Sequence, residues 1–135
     1  MGSFSEAELS YLQSQRLGRL ATVGADGKPH VAPVTFRYNP DTDTIDVGGL
    51  RNRATKKFRD VSRVGVAAIV VDDVVPPWSP RGIEVRGPTV ALDEAEKFHD
   101  AFDGSLIRIT PERIVAWGLE GDARRPNART VSAPT

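Results

Sequence analysis

Short strand-like runs, each closed by a turn too tight for a helix, constrain this chain more than any other feature. Arg16 to Val23 (RLGRLATV) reads as a strand. GADG follows as a turn, because Gly24 and Gly27 tolerate positive φ and Asp26 suits turns. Lys28 to Tyr38 (KPHVAPVTFRY) is a second strand. It places His30, Ala32, Val34, Phe36 and Tyr38 on one face, and Val31, Pro33, Thr35 and Arg37 on the other. Pro29 and Pro33 lack a donor N–H, so this strand needs an edge or a bulge. NPDTD makes the next turn, and Thr44 to Gly49 the third strand, with Ile45 and Val47 inward. Consecutive strands joined by tight turns predict an antiparallel meander.

Further along, Arg63 to Val71 (RVGVAAIVV) is apolar nearly throughout, which predicts a central strand covered on both faces. Asp72 to Pro80 carries three prolines and is predicted to be irregular. Arg81 to Leu92 is a long strand, with Ile83 and Val85 facing in, Glu84 and Arg86 facing out, and a bulge at Gly87-Pro88. Ser105 to Ile109 and Arg113 to Leu119 flank a Pro111-Glu112 turn. Three short helices are expected. Ser5 and Glu8 have capping-box spacing, with Phe4 and Leu9 as the staple. A second helix runs from about Asn52, its N-cap, to Asp60. A third starts at Asp93, stacks Phe98 on Phe102 and ends at Gly104. Beyond Glu120 there is no periodicity. The reading is one mainly β domain over residues 1–119 and a flexible tail over 120–135, with about six or seven antiparallel strands in a small barrel.

A chain of 135 residues suits one core, and one this small favours a ligand on the surface or between subunits. Eighteen basic and eighteen acidic residues argue against a general nucleic-acid or membrane-surface binder. There is no cysteine, which excludes disulfides and thiolate metal sites. No other metal-ligand pattern stands out, since Asp72-Asp73 before a proline loop reads as a turn. No apolar run approaches the ~18 residues of a spanning helix, and the acidic start is not a signal sequence; the expectation is a cytoplasmic protein.

Against this neutral background, LRNRATKKFRDVSR gathers six basic residues: Arg51, Arg53, Lys56, Lys57, Arg59 and Arg63. The run follows a strand and opens a helix, where free N–H groups and partial positive charge already favour anions. It reads either as a phosphate or carboxylate site or as a solvated helix face. His30, among apolar neighbours, reads as a packing or hydrogen-bonding residue, and His99 as solvated. Glu84 and Arg86 read as a structural pair. Trp78 is an interface anchor or a ring-stacking residue, and Trp117 belongs to the barrel wall.

The ordered set GRLATVGADGKPHVAPVTF, TIDVGG, RNRATKKFRD, an apolar strand and RGIEVRG resembles the pyridoxamine 5′-phosphate oxidase-like superfamily. More narrowly, it and the ending SLIRITPERIVAWGLE resemble the actinobacterial deazaflavin-dependent branch. The likeness spans Leu17 to Glu120. It implies a split β-barrel homodimer with a flavin or deazaflavin in a groove between subunits. Arg51, Asn52, Arg53, Lys56 and Lys57 would then bind phosphate. Pro33, Val34, Thr35, Gly48 and Gly49 would line the ring system, with Trp78 and Arg81 reaching over from the partner chain. The chain departs from oxidases acting on pyridoxamine phosphate after Glu120, where Arg124 and Arg125 lack the expected surroundings. Vitamin B6 oxidation is therefore not implied.

The implied activity is hydride transfer from reduced coenzyme F420, a deazaflavin, to a small unsaturated or conjugated acceptor. A cofactor that carries the hydride leaves no need for a catalytic triad or a metal. The acceptor's proton would come from solvent or from a groove side chain such as Arg86. Flavin mononucleotide (FMN) on the same basic helix is the alternative cofactor. A non-catalytic carrier of flavin, deazaflavin or haem is the alternative function.

Overall fold

The structure is a computed structural model and describes residues 2–120 and 125–131. The chain runs α1 (Glu6–Ser14), β1 (Leu17–Val23), β2 (Pro29–Asn39), β3 (Thr44–Gly48), a 3-10 turn (Asn52–Ala54), α2 (Lys56–Arg63), β4 (Val66–Val75), β5 (Ser79–Leu92), β6 (Leu106–Ile109), β7 (Arg113–Trp117) and β8 (Asn127–Thr130). All pairings are antiparallel. The order β4-β1-β2-β3-β6-β5 closes on itself through β4–β5, and β7 and β8 extend outward from β5. The fold is mainly β: a closed six-stranded barrel with two further strands and two short helices. Among the described residues, no helix is long and apolar enough to cross a membrane.

The meander forms as its turns predict. β1 pairs with β2 from Leu17↔Thr35 to Val23↔Pro29, and β2 pairs with β3 from Thr35↔Gly48 to Asn39↔Thr44. Residues 29–34 therefore have β1 on one side and no strand on the other, which is where Pro29 and Pro33 cost no ladder bond. β5 changes partners along its length. Residues 79–88 face β4, with β7 on the other side of 82–86, and Thr89 onward faces β6. The changeover falls at Gly87-Pro88, where β5 carries no bulge because its pairing with β4 runs unbroken through both residues; a Cβ on Gly87 would collide with the Thr110 carbonyl oxygen. Inward residues fill the barrel: Leu20, Ile45, Val47, Ile69, Ile83, Val85, Ile107, Ile109 and Ile114 are all fully buried. α1 carries its capping box, with Ser5 Oγ accepting from the Glu8 N–H and the Glu8 carboxylate accepting from the Ser5 N–H.

Five further expectations change. Residues 93–105 form no helix; the segment folds back so that Ala95 N–H donates to the Gly104 carbonyl, with Gly104 at φ 86°. Its Phe98 and Phe102 pack edge to face over β3 instead of along a helix, so tertiary contact overrides the capping signal at Asp93. The proline-rich stretch is a hairpin, because β4 runs to Val75 and β5 starts at Ser79. Its prolines fall in the turn or beside Val74, beyond the reach of β7, where no second neighbour needs a donor. β4 buries only alternate residues, leaving Val66 about half exposed. α2 starts later than expected, with Thr55 as its N-cap, its hydroxyl accepting from the Phe58 N–H. Asn127–Thr130 pairs with β7, although nothing after Glu120 reads as a strand. Arg129 fixes it there, with both guanidinium nitrogens on the buried Glu8 carboxylate and one also on the Ser3 carbonyl.

Candidate anion and coenzyme site

β3 ends at Gly48, and the chain leaves the barrel through Gly49 and Leu50 into the basic turn. Asn52 anchors that turn. It is buried, and its amide nitrogen donates toward the Val47 carbonyl and to the Ser105 hydroxyl and carbonyl. Its Oδ1 is buried without a protein partner. Asn52 thus works as a strut between β3 and β6, and its side chain does not cap a helix.

The six cations divide by what they touch. The Arg53 guanidinium donates to the Asp93 and Asp103 carbonyls and stands 3.9 Å from the Asp103 carboxylate. Lys56 Nζ donates to both oxygens of Asp60 at 3.0 Å. Arg59 donates to the Ala54 carbonyl. Arg51, Lys57 and Arg63 make no such bond among the described residues. Lys57 is only half-buried, and desolvation lowers its ammonium below the usual lysine range. A shallow depression of about 310 Å³ opens beside Leu50, Arg51, Arg53, Ala54 and Asp103.

Asp60 is itself part of a network. The Lys56 hydrogen bond outweighs burial and holds its carboxyl below the usual carboxylate range. The Thr22 hydroxyl donates to it at 3.4 Å. His30, opposite Thr22 in the register, packs into the same end of the barrel with its Nδ1 buried and unpartnered. Elsewhere on β3, Asp46 is buried on the strand's outer face. Burial raises its carboxyl, but hydrogen bonds from Arg108, Asn39 and Thr44 prevail and hold it low.

The ring-lining candidates are less uniform. Thr35 and Gly48 pair directly, and Pro33 is exposed on the outer face. Val34 points into the core and offers only its backbone. At Gly48 a Cβ would lie 2.8 Å from the Phe102 ring and 3.0 Å from Phe98. The flat ring this glycine admits is the protein's own. Gly49 is open by comparison, with Asn52 Cβ 3.7 Å away. Trp78 and Arg81 lie at the far end of the β4–β5 hairpin, roughly 30 Å along β4 from α2 at strand rise. Trp78 is 76% exposed. Arg81 is held by Asp73 through two hydrogen bonds of 2.7 and 3.0 Å and lies over the Tyr11 ring. Within one chain these two do not meet the basic turn. Of the C-terminal arginines, Arg125 is exposed, and Arg124 lies outside the described residues.

Sequence reasoning missed Asp103, Ser105 and the Phe98–Phe102 pair as neighbours of the turn. Nothing local could have placed them, since about fifty residues separate them from it. What the arrangement offers is a cationic turn on which Arg51 and Lys57 have no partner among the described residues, beside an accessible Gly49. Those are the parts needed to hold a phosphorylated coenzyme at its anionic end.

Three comparisons bear on this site. The family profile described as pyridoxamine 5′-phosphate oxidase matches residues 4–131. A 5a,11a-dehydrotetracycline/5a,11a-dehydrooxytetracycline reductase from Streptomyces rimosus is 40% identical over 135 residues, covering 96% of this chain and 94% of that protein. Among solved structures, General Stress Protein 26 from Bacillus anthracis superposes with a TM-score of 0.70 at 22% identity, covering 93% of this chain and 97% of its own. The FAD binding protein from Mycobacterium smegmatis superposes at 0.62 and 20%, covering 84% and 95%. With nearly its whole length matched, this chain belongs to the pyridoxamine 5′-phosphate oxidase family.

Proposed function

We propose that this protein is an oxidoreductase that binds the deazaflavin coenzyme F420 at its basic turn and reduces a small conjugated acceptor. Lys57 carries the reading: a half-buried ammonium whose charge burial disfavours, with no carboxylate beside it among the described residues, is poised for an external anion. The similarity to a reductase of dehydrotetracyclines supports both the reaction class and a conjugated, oxygen-rich acceptor. When bound, the coenzyme supplies the hydride. The protein's part is placement: Lys57 and Arg51 hold the phosphate, Asn52 fixes the turn, and Gly49 leaves the backbone open to a flat ring. The proton that completes reduction comes from solvent at this open surface.

The reading includes a homodimer. The outer faces of β1, β2 and β4 carry Leu17, Val31 and Val66, each about half exposed or more. An apolar groove of about 420 Å³ runs across this sheet between Val23, Pro29, Val66 and Pro88. A second copy would cover that surface and bring the partner's hairpin tip, with Trp78, toward the basic turn.

Fluorescence titration tests the coenzyme assignment. Lys57→Ala should weaken coenzyme F420 binding with the fold intact, and unchanged affinity removes the phosphate assignment. FMN titrated in parallel decides between the two cofactors. Tight binding without turnover on quinones, enones or tetracyclic enones would make the protein a carrier.

A further inference from the structure

The segment between β5 and β6 lies across the basic turn as though it were a ligand. Phe102 rests on Gly48, 2.8 Å from where a Cβ would be, in edge-to-face contact with Phe98. The next residue, Asp103, puts its N–H on the Gly49 carbonyl at 3.1 Å. One carboxylate oxygen of Asp103 accepts from the Arg53 N–H at 2.9 Å and lies 3.9 Å from the guanidinium. The other accepts from the Ser105 N–H and hydroxyl. The Arg53 guanidinium also reaches the carbonyls of Asp93 and Asp103, so both ends of the segment fasten to one arginine. An aromatic ring on the strand glycine is thus joined to an anion on the basic turn, the same pairing a flat phosphorylated coenzyme would present.

We propose that residues 93–105 are an internal pseudo-ligand, with Asp103 the residue that decides which ligands the turn accepts. This rests on the coenzyme reading above. A neutral ligand gains nothing from Arg53 while the Asp93 and Asp103 carbonyls and, at 3.9 Å, the Asp103 carboxylate occupy its guanidinium. A phosphate carries more charge than the carboxylate and can displace it, freeing the guanidinium, and Phe102 leaves Gly48 with the same movement. Selectivity for phosphorylated ligands follows from competition between two anions for one arginine, beyond simple attraction to positive charge. Holding the strap down costs the bound state part of its affinity, which is why removing the competitor should strengthen binding.

FMN and riboflavin test this, because they share a ring and differ by the phosphate. Asp103→Asn keeps the side chain's size and an acceptor for Ser105, and removes the charge together with the acceptor for the Arg53 backbone N–H. We expect it to tighten FMN binding about two- to fivefold, the range of an exposed ion pair, and riboflavin binding less, through the loosened strap alone. Phe102→Ala should tighten both ligands. Hydrogen exchange of the full chain should show residues 93–105 less protected when FMN is bound. The proposal is overturned if Asp103→Asn weakens FMN binding, if it alters FMN and riboflavin equally, or if FMN increases protection of the strap, which would make it a lid. A null result with Asp103→Asn while Lys57→Ala still weakens FMN rejects the pseudo-ligand and keeps the basic site. Insensitivity of FMN to both changes rejects the site as well.

Discussion

Neighbouring lysines on α2 have opposite duties. Lys56 spends its charge on Asp60, which ties the start of α2 to Thr22 on β1. Lys57 has no such commitment. Lys57→Ala should therefore cost roughly tenfold in coenzyme affinity, the scale of one charge-assisted hydrogen bond, with little change in melting temperature. Lys56→Ala should chiefly lower stability, because it strips a partner from buried Asp60; calorimetry beside titration separates the two. Asp46 gives a pH signature. Its folded carboxyl is held below the unfolded value near 3.9, so its contribution is whole above that value. The contribution is lost as pH falls from about 4 through the lower folded value. Asp46→Asn should be destabilised at pH 7, and the gap to wild type in urea midpoint should shrink as pH falls below 4.

At the scale of elements, two tethers hold parts that local propensity would leave loose. The Thr55 hydroxyl caps α2, and Thr55→Ala should cost about 1 kcal/mol in chemical denaturation. β8 is four residues long and depends on Arg129, whose loss would leave the Glu8 carboxylate buried and unpaired. Removing one partner of a fully buried pair costs about 3–5 kcal/mol; Arg129 is partly exposed, so about 2–3 kcal/mol is expected of Arg129→Ala. Conservative Arg129→Lys should restore only part of that, because one ammonium cannot reproduce the two-pronged contact. The strap shows the opposite case. Its sequence carries a helix start at Asp93 and helical Phe98–Phe102 spacing, but Arg53 and Gly48 offer it more than its own hydrogen bonds would.

For the whole molecule, the open question posed by the fold is what covers the outer face of β1, β2 and β4. A barrel of this size has fully buried its inward apolar residues, and Val31 and Val66 remain on the outside. Sedimentation at micromolar concentration should find a dimer. Val31→Asp should produce a folded monomer, and weaker coenzyme binding in that monomer would place a partner residue in the site. A wild-type monomer would confine the coenzyme to one chain and leave Trp78 without a role there.

The strands β1 to β3, their turns and the α1 cap were all legible locally, because each is set by alternation, a cap or a turn residue acting within a few positions. So was the basic turn as a cluster of charge. The division of that charge was legible only in part: Lys56 and Asp60 stand four apart on one helix, a spacing that pairs them locally, whereas Asp103 and Ser105 reach the turn from about fifty residues away. The apolar run of β4 read as doubly covered for the same reason: hydrophobicity records that a face needs burial without saying which surface supplies it. Sequence determined the strands and the place of the charge, since both follow from short-range chemistry. Only the closed barrel decided which cations stay available and which segment lies over them, because long-range packing competes with every local preference for the same hydrogen bonds.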